Sequence, residues 1–434
     1  MRARLVSLVA PLLLAACYDG SSVDSPDGQS LDPNAVEQVT EPDVKTPQPP
    51  ASVDEATKFA VSNNAFGFDL YKRIKDQPGN LAMSPTSLSV ALAMTWGGAK
   101  GATADEMKKV LHFEGTPADV MTQSGKMVSL LENNEALRVT FANRLFGENS
   151  YKFEEPFLAA TKNAYGAALE PLDFLKGSEA ARARINGWVE GKTEKRIKDL
   201  IPEGGVDGET RLVLVNALYF LADWQTPFDK LYTRDASFSV SSKDSKLVPM
   251  MRSEETFGYA EVDNAKLLEL PYKGGEMSML LALPNEVEGL AALEAQLDAK
   301  KVGEWTKAMQ KKTVAVALPK FEINPSSSLS LGRALQAMGM PLAFTRGADF
   351  TGMANPSDAD ERLYISRVFH KAFVKVDEKG TEAAAASAVV MSREGAAAEP
   401  ITKFEADHPF VFMIRDNRTG LVLFMGRVAD PSVK

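Results

Sequence analysis

From Thr381 to Ile401 the chain carries no aromatic residue, a run of alanines, and a single proline, Pro400, near its end. A segment with so little to bury cannot nucleate a core of its own. It follows Ala372 to Val376, which reads as a strand, and only Gly380 between them has turn chemistry. The stretch Lys375 to Ala386, KVDEKGTEAAAA, therefore has two possible fates. It is a loop held outside a finished domain, or a strand that takes a place in a sheet. Any fold proposed for this chain must accommodate one of them.

The rest of the chain is ordinary by comparison. Its 434 residues are 44% hydrophobic and 25% charged, which suits a globular protein with one large or two smaller domains. A net charge of -9, with no Lys/Arg cluster interleaved with aromatics, counts against a nucleic-acid partner. The first residues read as an export signal, with Arg2 and Arg4 ahead of an apolar Leu5 to Leu14 that is too short to span a membrane. Leu14-Ala15-Ala16-Cys17 resembles the bacterial lipobox. The expectation is a signal peptide over 1–16, lipidation at Cys17, and a domain anchored by lipid to the cell envelope or surface. A plain secretion signal with a chance cysteine is the alternative. Cys17 is the only cysteine, so no disulfide can form within the chain. Residues 17–53, rich in Pro, Ser, Asp and Gln, read as a disordered tether, and the folded domain is expected over 54–434.

Within that domain, helical spacing predicts a helix from Asp54 to Lys75, and a second opened by Ser84 and Pro85 and ended by Gly97-Gly98. Thr103 with Glu106 predicts a capping box on a third. Further helices are expected at Pro156 to Tyr165, Ala180 to Thr193, Gly289 to Gln296 and Leu329 to Met338. Strands are expected at Val139 to Phe146, Arg211 to Phe220, Leu267 to Leu270, Met277 to Leu283 and Thr313 to Ile323. A hairpin turning at Asn417 to Gly420 closes the chain, with strands Phe410 to Arg415 and Gly420 to Val428. Strands and helices are mixed without strict βα alternation, so the fold class is α+β.

Catalytic chemistry finds little support. The three histidines are His112, His370 and His408, and there is no G-x-S-x-G elbow, H-E-x-x-H pair or phosphate-binding glycine loop. His370 lies in an apolar run, VFHKAFV, where a hydrogen-bonded core histidine is the better reading. No metal-ligand spacing occurs. The chain is expected to need no cofactor and to be no enzyme.

Several segments, taken together and in order, resemble the serpins. They are Asn80 to Ser87 (NLAMSPTS) with Ala91 to Met107, and Asn216-Ala-Leu-Tyr-Phe220 with Trp224 and Pro227-Phe228. Leu318 to Phe321, Ala348 to Gly352, and Asp407 to Phe410 continue the series, as does the opening stretch with His370-Lys371-Ala372 before it. The resemblance spans roughly Asp54 to Pro431. It implies three β-sheets with about eight or nine helices, and a reactive loop over about 378–402 that is offered as bait to a serine or cysteine protease. After cleavage and acylation the loop enters the central sheet as a new strand, carrying the protease with it in a covalent one-to-one complex with the monomeric inhibitor.

The residues suit that mechanism. In a strand, Thr381, Ala383, Ala385, Ser387 and Val389 share one face and are small enough to slide under a packed sheet, while Glu382, Ala384, Ala386 and Ala388 face outward. About twelve inserted residues at ~3.3 Å each move the acylated end about 40 Å. At ~1 kcal/mol per ladder bond, insertion releases on the order of 10 kcal/mol. The alanine run taken alone reads equally as a flexible linker. By position, the resemblance assigns Glu378, Gly380, Thr381, Glu382 and Ala383 to Ala386 to the loop hinge. It assigns Ser84, Ser87, Asn216 and His370 to a gate where the sheet opens, and Trp224 and Lys320 to support at the loop base. The scissile bond is expected at Arg393-Glu394, which suits a trypsin-like protease. Glu394-Gly395 is the alternative by strict family spacing, and Val390 or Met391 would suit elastase- or chymotrypsin-like targets. A non-inhibitory serpin acting as a binding or chaperone module is the competing function.

Overall fold

Ser52 accepts a hydrogen bond from Glu55 N–H at 3.3 Å, and the Glu55 carboxylate accepts from Ser52 N–H at 2.9 Å. This reciprocal cap starts the first helix, Val53–Ile74. The structure is a computed structural model that describes residues 47–382 and 401–433. Just before that helix, Gln48 donates to Asn163 O and Ala51 N–H donates to Lys126 O. The end of the expected tether is thus packed against the helices Pro117–Glu132 and Glu155–Tyr165.

The second helix, Pro85–Trp96, begins as its sequence requires: Ser84 Oγ accepts from Ser87 N–H at 3.1 Å, and Pro85 fills the first helical position. All its residues but Ala91 are buried, so it is an interior helix without a polar face. The third helix differs from expectation. Gly101–Val110 starts before Thr103, and Lys100, at its N-cap, offers no side-chain bond. Thr103 Oγ1 instead accepts from Asp349 N–H and Glu106 from Leu342 N–H, so tertiary contacts claim both side chains of the expected capping box.

Among the described residues there are nine α-helices and three sheets, of nine, six and two strands. That is the expected α+β architecture. The closing hairpin pairs Phe410–Asp416 with Val422–Val428 inside the large sheet, and every residue of the second strand is buried. Two expectations fail at sheet junctions. Thr313 to Ile323 is not one strand: Gln310–Pro319 lies in the nine-stranded sheet, and after Lys320 the chain crosses to the six-stranded sheet as Phe321–Ile323. Both sheets bury their share, so the apolar pattern runs on through the crossing. Leu329 to Met338 likewise divides: Leu329–Ser330 pairs with Phe369–His370, and the helix is Gly332–Met338.

The six-stranded sheet runs Phe321–Ile323, Val374–Val376, Gly380–Thr381, Leu212–Asp223, Arg138–Glu148, Leu169–Leu172. Leu212–Asp223 pairs with Arg138–Glu148 along most of its length. On its other edge it meets only Gly380–Thr381, at Asp223 and Ala222. Val376 pairs with Thr381 from the far side. Between Leu212 and Leu221 that edge has no ladder partner among the described residues. A cavity of about 280 Å³ lies there, between Leu212 to Asn216 and Arg362 to His370, with Leu88 and Leu92 of the interior helix in its wall.

Candidate functional site

The site is the slot in the six-stranded sheet, together with the residues at its upper end and beneath it. At the upper end, Glu378 is buried and its carboxylate accepts from Lys320 Nζ at 2.9 and 3.1 Å and from Thr233 Oγ1 at 3.0 Å. Burial pushes the Glu378 carboxyl up, but the hydrogen bonds and the Lys320 charge outweigh it and hold the group below its usual range. Phe228 N–H donates to Glu378 O at 2.8 Å. Trp224 N–H donates to Lys379 O at 2.7 Å, and its indole Nε1–H donates to Asp377 O at 3.0 Å. The chain entering the slot is thus fixed residue by residue through Asp377, Glu378 and Lys379.

Gly380 follows, and no other residue fits. A Cβ there would stand 2.0 Å from Ala222 O and 2.8 Å from Asp223 Cα, both backbone atoms that cannot swing aside. Thr381 is 2% exposed, with its hydroxyl 2.6 Å from Tyr272 Oη. The Tyr272 ring stacks on Trp224 at 4.6 Å between centroids and 7° between planes. Burial lifts the Tyr272 phenol far above its ordinary range, so it stays neutral. Glu382 departs from expectation. The strand alternation places it outward, yet it is buried, with φ at 55°, and its carboxylate is paired with the Arg196 guanidinium. A left-handed residue ends the strand, so the alternation stops at Thr381.

Lower in the molecule the structure brings together Ser84, Ser87, Asn216 and His370. Ser84 N–H donates to His370 Nε2 at 2.9 Å, so this nitrogen is the unprotonated acceptor. Ser87 Oγ donates to Asn216 Oδ1, and Asn216 Nδ2 donates to Asn143 Oδ1. Burial pushes His370 down to about 4, so it is neutral at ordinary pH. These four residues come from the Ser84 cap and its helix, the Leu212–Asp223 strand, and Phe369–His370 on the other side of the slot. One chain of hydrogen bonds on each side therefore ties the interior helix to the slot's two walls.

Ala383, Ala384, Ala385, Ala386, Arg393, Glu394 and Gly395 lie outside the described residues, as do residues 1–16 and Cys17. Among the described residues, no group of three His, Cys, Asp or Glu is placed to hold a metal ion. Tyr272, Thr233, Asn143 and Arg196 belong to the site and were not singled out by the sequence. Tyr272 alone had a local signal, an aromatic at the end of the apolar Leu267 to Leu270 run. The others are ordinary polar residues whose partners are remote.

A family model described as "Serpin (serine protease inhibitor)" matches residues 61–431. A leukocyte elastase inhibitor from Equus caballus is 40% identical over 386 residues, covering 86% of this chain and all of its own. Serpin B3 from Homo sapiens is 39% identical, covering 86% of this chain and 99% of its own. Among solved structures, uncleaved ovalbumin matches with a TM-score of 0.77 at 31% identity, covering 86% of this chain and all of that one. Human thyroxine-binding globulin bound to its hormone matches with a TM-score of 0.77 at 30% identity, covering 87% and 99%. These relatives correct the negative expectation that the chain is simply no enzyme. The Equus caballus relative and the family description are named for protease inhibition, and missing catalytic motifs are not the ground for that. The relatives named here are vertebrate or human, so they give the bacterial lipobox reading no support.

Proposed function

Because this chain belongs to the serpin family, we propose that it inhibits a serine protease as a suicide substrate, with Arg393-Glu394 as the bond attacked. The protease serine Oγ adds to the Arg393 carbonyl carbon, and the bond to Glu394 N breaks. Arg393 is left as an ester on the enzyme, while the new amine of Glu394 departs with a proton. Residues from Glu382 onward then extend the strand that Gly380–Thr381 has begun, between Leu212–Asp223 and Val376. The arginine supplies the positive side chain that an acidic, trypsin-like pocket selects.

One observation carries this reading. Gly380 and Thr381 are already paired with both neighbouring strands, while the edge below them, Leu212 to Leu221, lacks a partner among the described residues. An unpaired edge with buried walls accepts a further strand through its backbone groups. The alternation of small side chains after Thr381 allows that entry without a clash.

The test is to mix the purified chain with trypsin and separate the products on a denaturing gel. A stable band at the summed mass supports inhibition, and mass spectrometry of the released C-terminal peptide reads the bond. Cleavage of the loop with full trypsin activity remaining sinks the trypsin-directed reading. The same assay with elastase then decides for Val390 or Met391, the choice closer to the name the Equus caballus relative carries. Ovalbumin and thyroxine-binding globulin share this fold. The second reading, a carrier or binding module, is favoured if no protease is trapped and no strand is inserted after cleavage.

We further propose that the chain is exported and lipid-anchored through Cys17, a reading supported by residues 1–17 alone. Expression in a bacterial host with labelled fatty acid tests it. Label on the parent and none on Cys17→Ser is expected; equal label on both overturns it.

A further inference from the structure

The turn that follows the helix Phe174–Lys192 holds two successive non-glycine residues in left-handed backbone, Glu194 at φ 50° and Lys195 at φ 61°. Such backbone is disfavoured for both residue types and persists only where neighbours over-determine it. Here they do. Lys195 N–H donates to Glu190 O at 2.8 Å and Arg196 N–H to Thr193 O at 2.9 Å. The Glu194 carboxylate pairs with Arg138 at 2.7 Å, and the Arg138 guanidinium lies over the Tyr219 ring at 5.5 Å. The turn is therefore tied to the Arg138–Glu148 and Leu212–Asp223 strands.

What this braced turn presents is Arg196. Its guanidinium lies over the Phe373 ring at 5.3 Å and forms an ion pair with Glu382. Glu382 is the first residue beyond the two already paired in the slot. Its own N–H donates to Lys375 O at 2.9 Å, its φ is 55°, and its carboxylate side chain is 6% exposed. Backbone and side chain are thus both held just past the last rung of the ladder. Strand cannot continue through a left-handed residue. For insertion to advance, Glu382 must become extended. The pair is made with Glu382 in left-handed backbone, so it favours the intact arrangement over the extended one.

We propose that Arg196 is a positioning residue that latches Glu382 at the mouth of the slot and so restrains the intact chain from inserting its loop before a protease has cleaved it. This rests on the strand-insertion reading above. The restraint is electrostatic and local. Burial pushes the Glu382 carboxyl up, while Arg196 first, and more weakly Lys375 and the Tyr219 hydroxyl, favour its charged form.

The experiment follows spontaneous conversion of the full-length, uncleaved chain on incubation somewhat below its unfolding midpoint, read as the growing fraction resistant to urea. Arg196→Ala and Glu382→Gln are expected to convert about five- to tenfold faster than the parent, since each removes an ion pair with one nearly buried partner. Arg196→Lys should stay near the parent. The doubly exchanged chain, Arg196→Glu with Glu382→Arg, should recover most of the difference. A merely structural role for Arg196 would lower the unfolding midpoint without recovery in the double exchange, and that result overturns the latch. So does an equal rate in parent and Arg196→Ala, including no conversion in either. Failure of the inhibitory reading shows separately, as an absence of trapped protease on the gel from a chain that still converts.

Discussion

His370 is neutral because it is buried, and that neutrality couples its hydrogen bond with Ser84 to pH. In the folded chain its proton comes on near pH 4, against an ordinary value of 6.5 when the chain is unfolded. Between these two values the unfolded state binds the additional proton. Stability from this group is thus fully present above pH 6.5 and falls as the pH drops toward 4. From pH 7 to pH 5 the loss is about 2 kcal/mol. His370→Gln keeps an acceptor for Ser84 N–H through the glutamine carbonyl and removes the titration. Urea unfolding at pH 7 and pH 5 should show the parent losing about 2 kcal/mol more than the variant. Equal losses would show that His370 takes up its proton without disturbing the gate. Ser84, Ser87, Asn216 and His370 could be named together because each lies in a segment that carries the family resemblance. Asn143, which completes the network on the Asn216 side, sits in a strand with no such mark and is found only through its bond.

At the level of elements, local capping and buried alternation were legible and long-range partnership was not. Pro85–Trp96 was readable because Ser84 and Pro85 form its start within the sequence itself. Pro117–Glu132 carries an equally good start, a capping box from Thr116 to Asp119, which the expected helices do not include. The longest strand, Asp244–Val262, carries no clear period because it is mostly exposed along its first half and then buried without alternation from Phe257 to Ala260. Arg196 and Glu382 are separated by 186 residues, and no periodicity relates them. The hinge strand itself was legible through Gly380, whose need is now specific: its Cα hydrogens face the Ala222 carbonyl. Gly380→Ala should push the two-residue strand away from Leu212–Asp223 and break the Thr381 contact with Tyr272. Insertion then begins later, and more of each encounter ends in plain cleavage. Titration of trypsin should require several-fold more Gly380→Ala chain than parent per protease silenced, with a faster rise of the cleaved band. An unchanged titration would mean that the Ala222 strand shifts to admit the methyl.

For the whole molecule, strand insertion as proposed implies that the intact chain is not at its most stable arrangement. The edge from Leu212 to Leu221 offers backbone donors and acceptors with no ladder partner among the described residues, and a strand there would gain roughly ten ladder bonds at ~1 kcal/mol each. The gain, on the order of 10 kcal/mol, is comparable with the entire stability of an ordinary domain. On the proposed mechanism it is withheld while the chain is intact because the residues on either side of 383–400 are fixed. Glu378 is held by Lys320 at one end, and Thr402–Glu405 lies parallel to Gln310–Pro319 in the other sheet. Cutting between those ends removes the constraint. At about 2.1 cal/mol/K of unfolding entropy per residue, a domain of this size has roughly 0.8 kcal/mol/K, so the gain corresponds to a midpoint rise of about 10 °C or more. Cleavage within 383–400 by a protease that the chain does not trap should produce this rise, with the two pieces remaining associated. Tyr272 and Trp224 lie against the point of entry and provide a local signal, since extension of the strand past Thr381 changes the surroundings of their stacked rings. A cleaved chain whose midpoint and ring fluorescence both match the intact one would mean that the edge stays open, and the stored free energy inferred from the slot would then be absent.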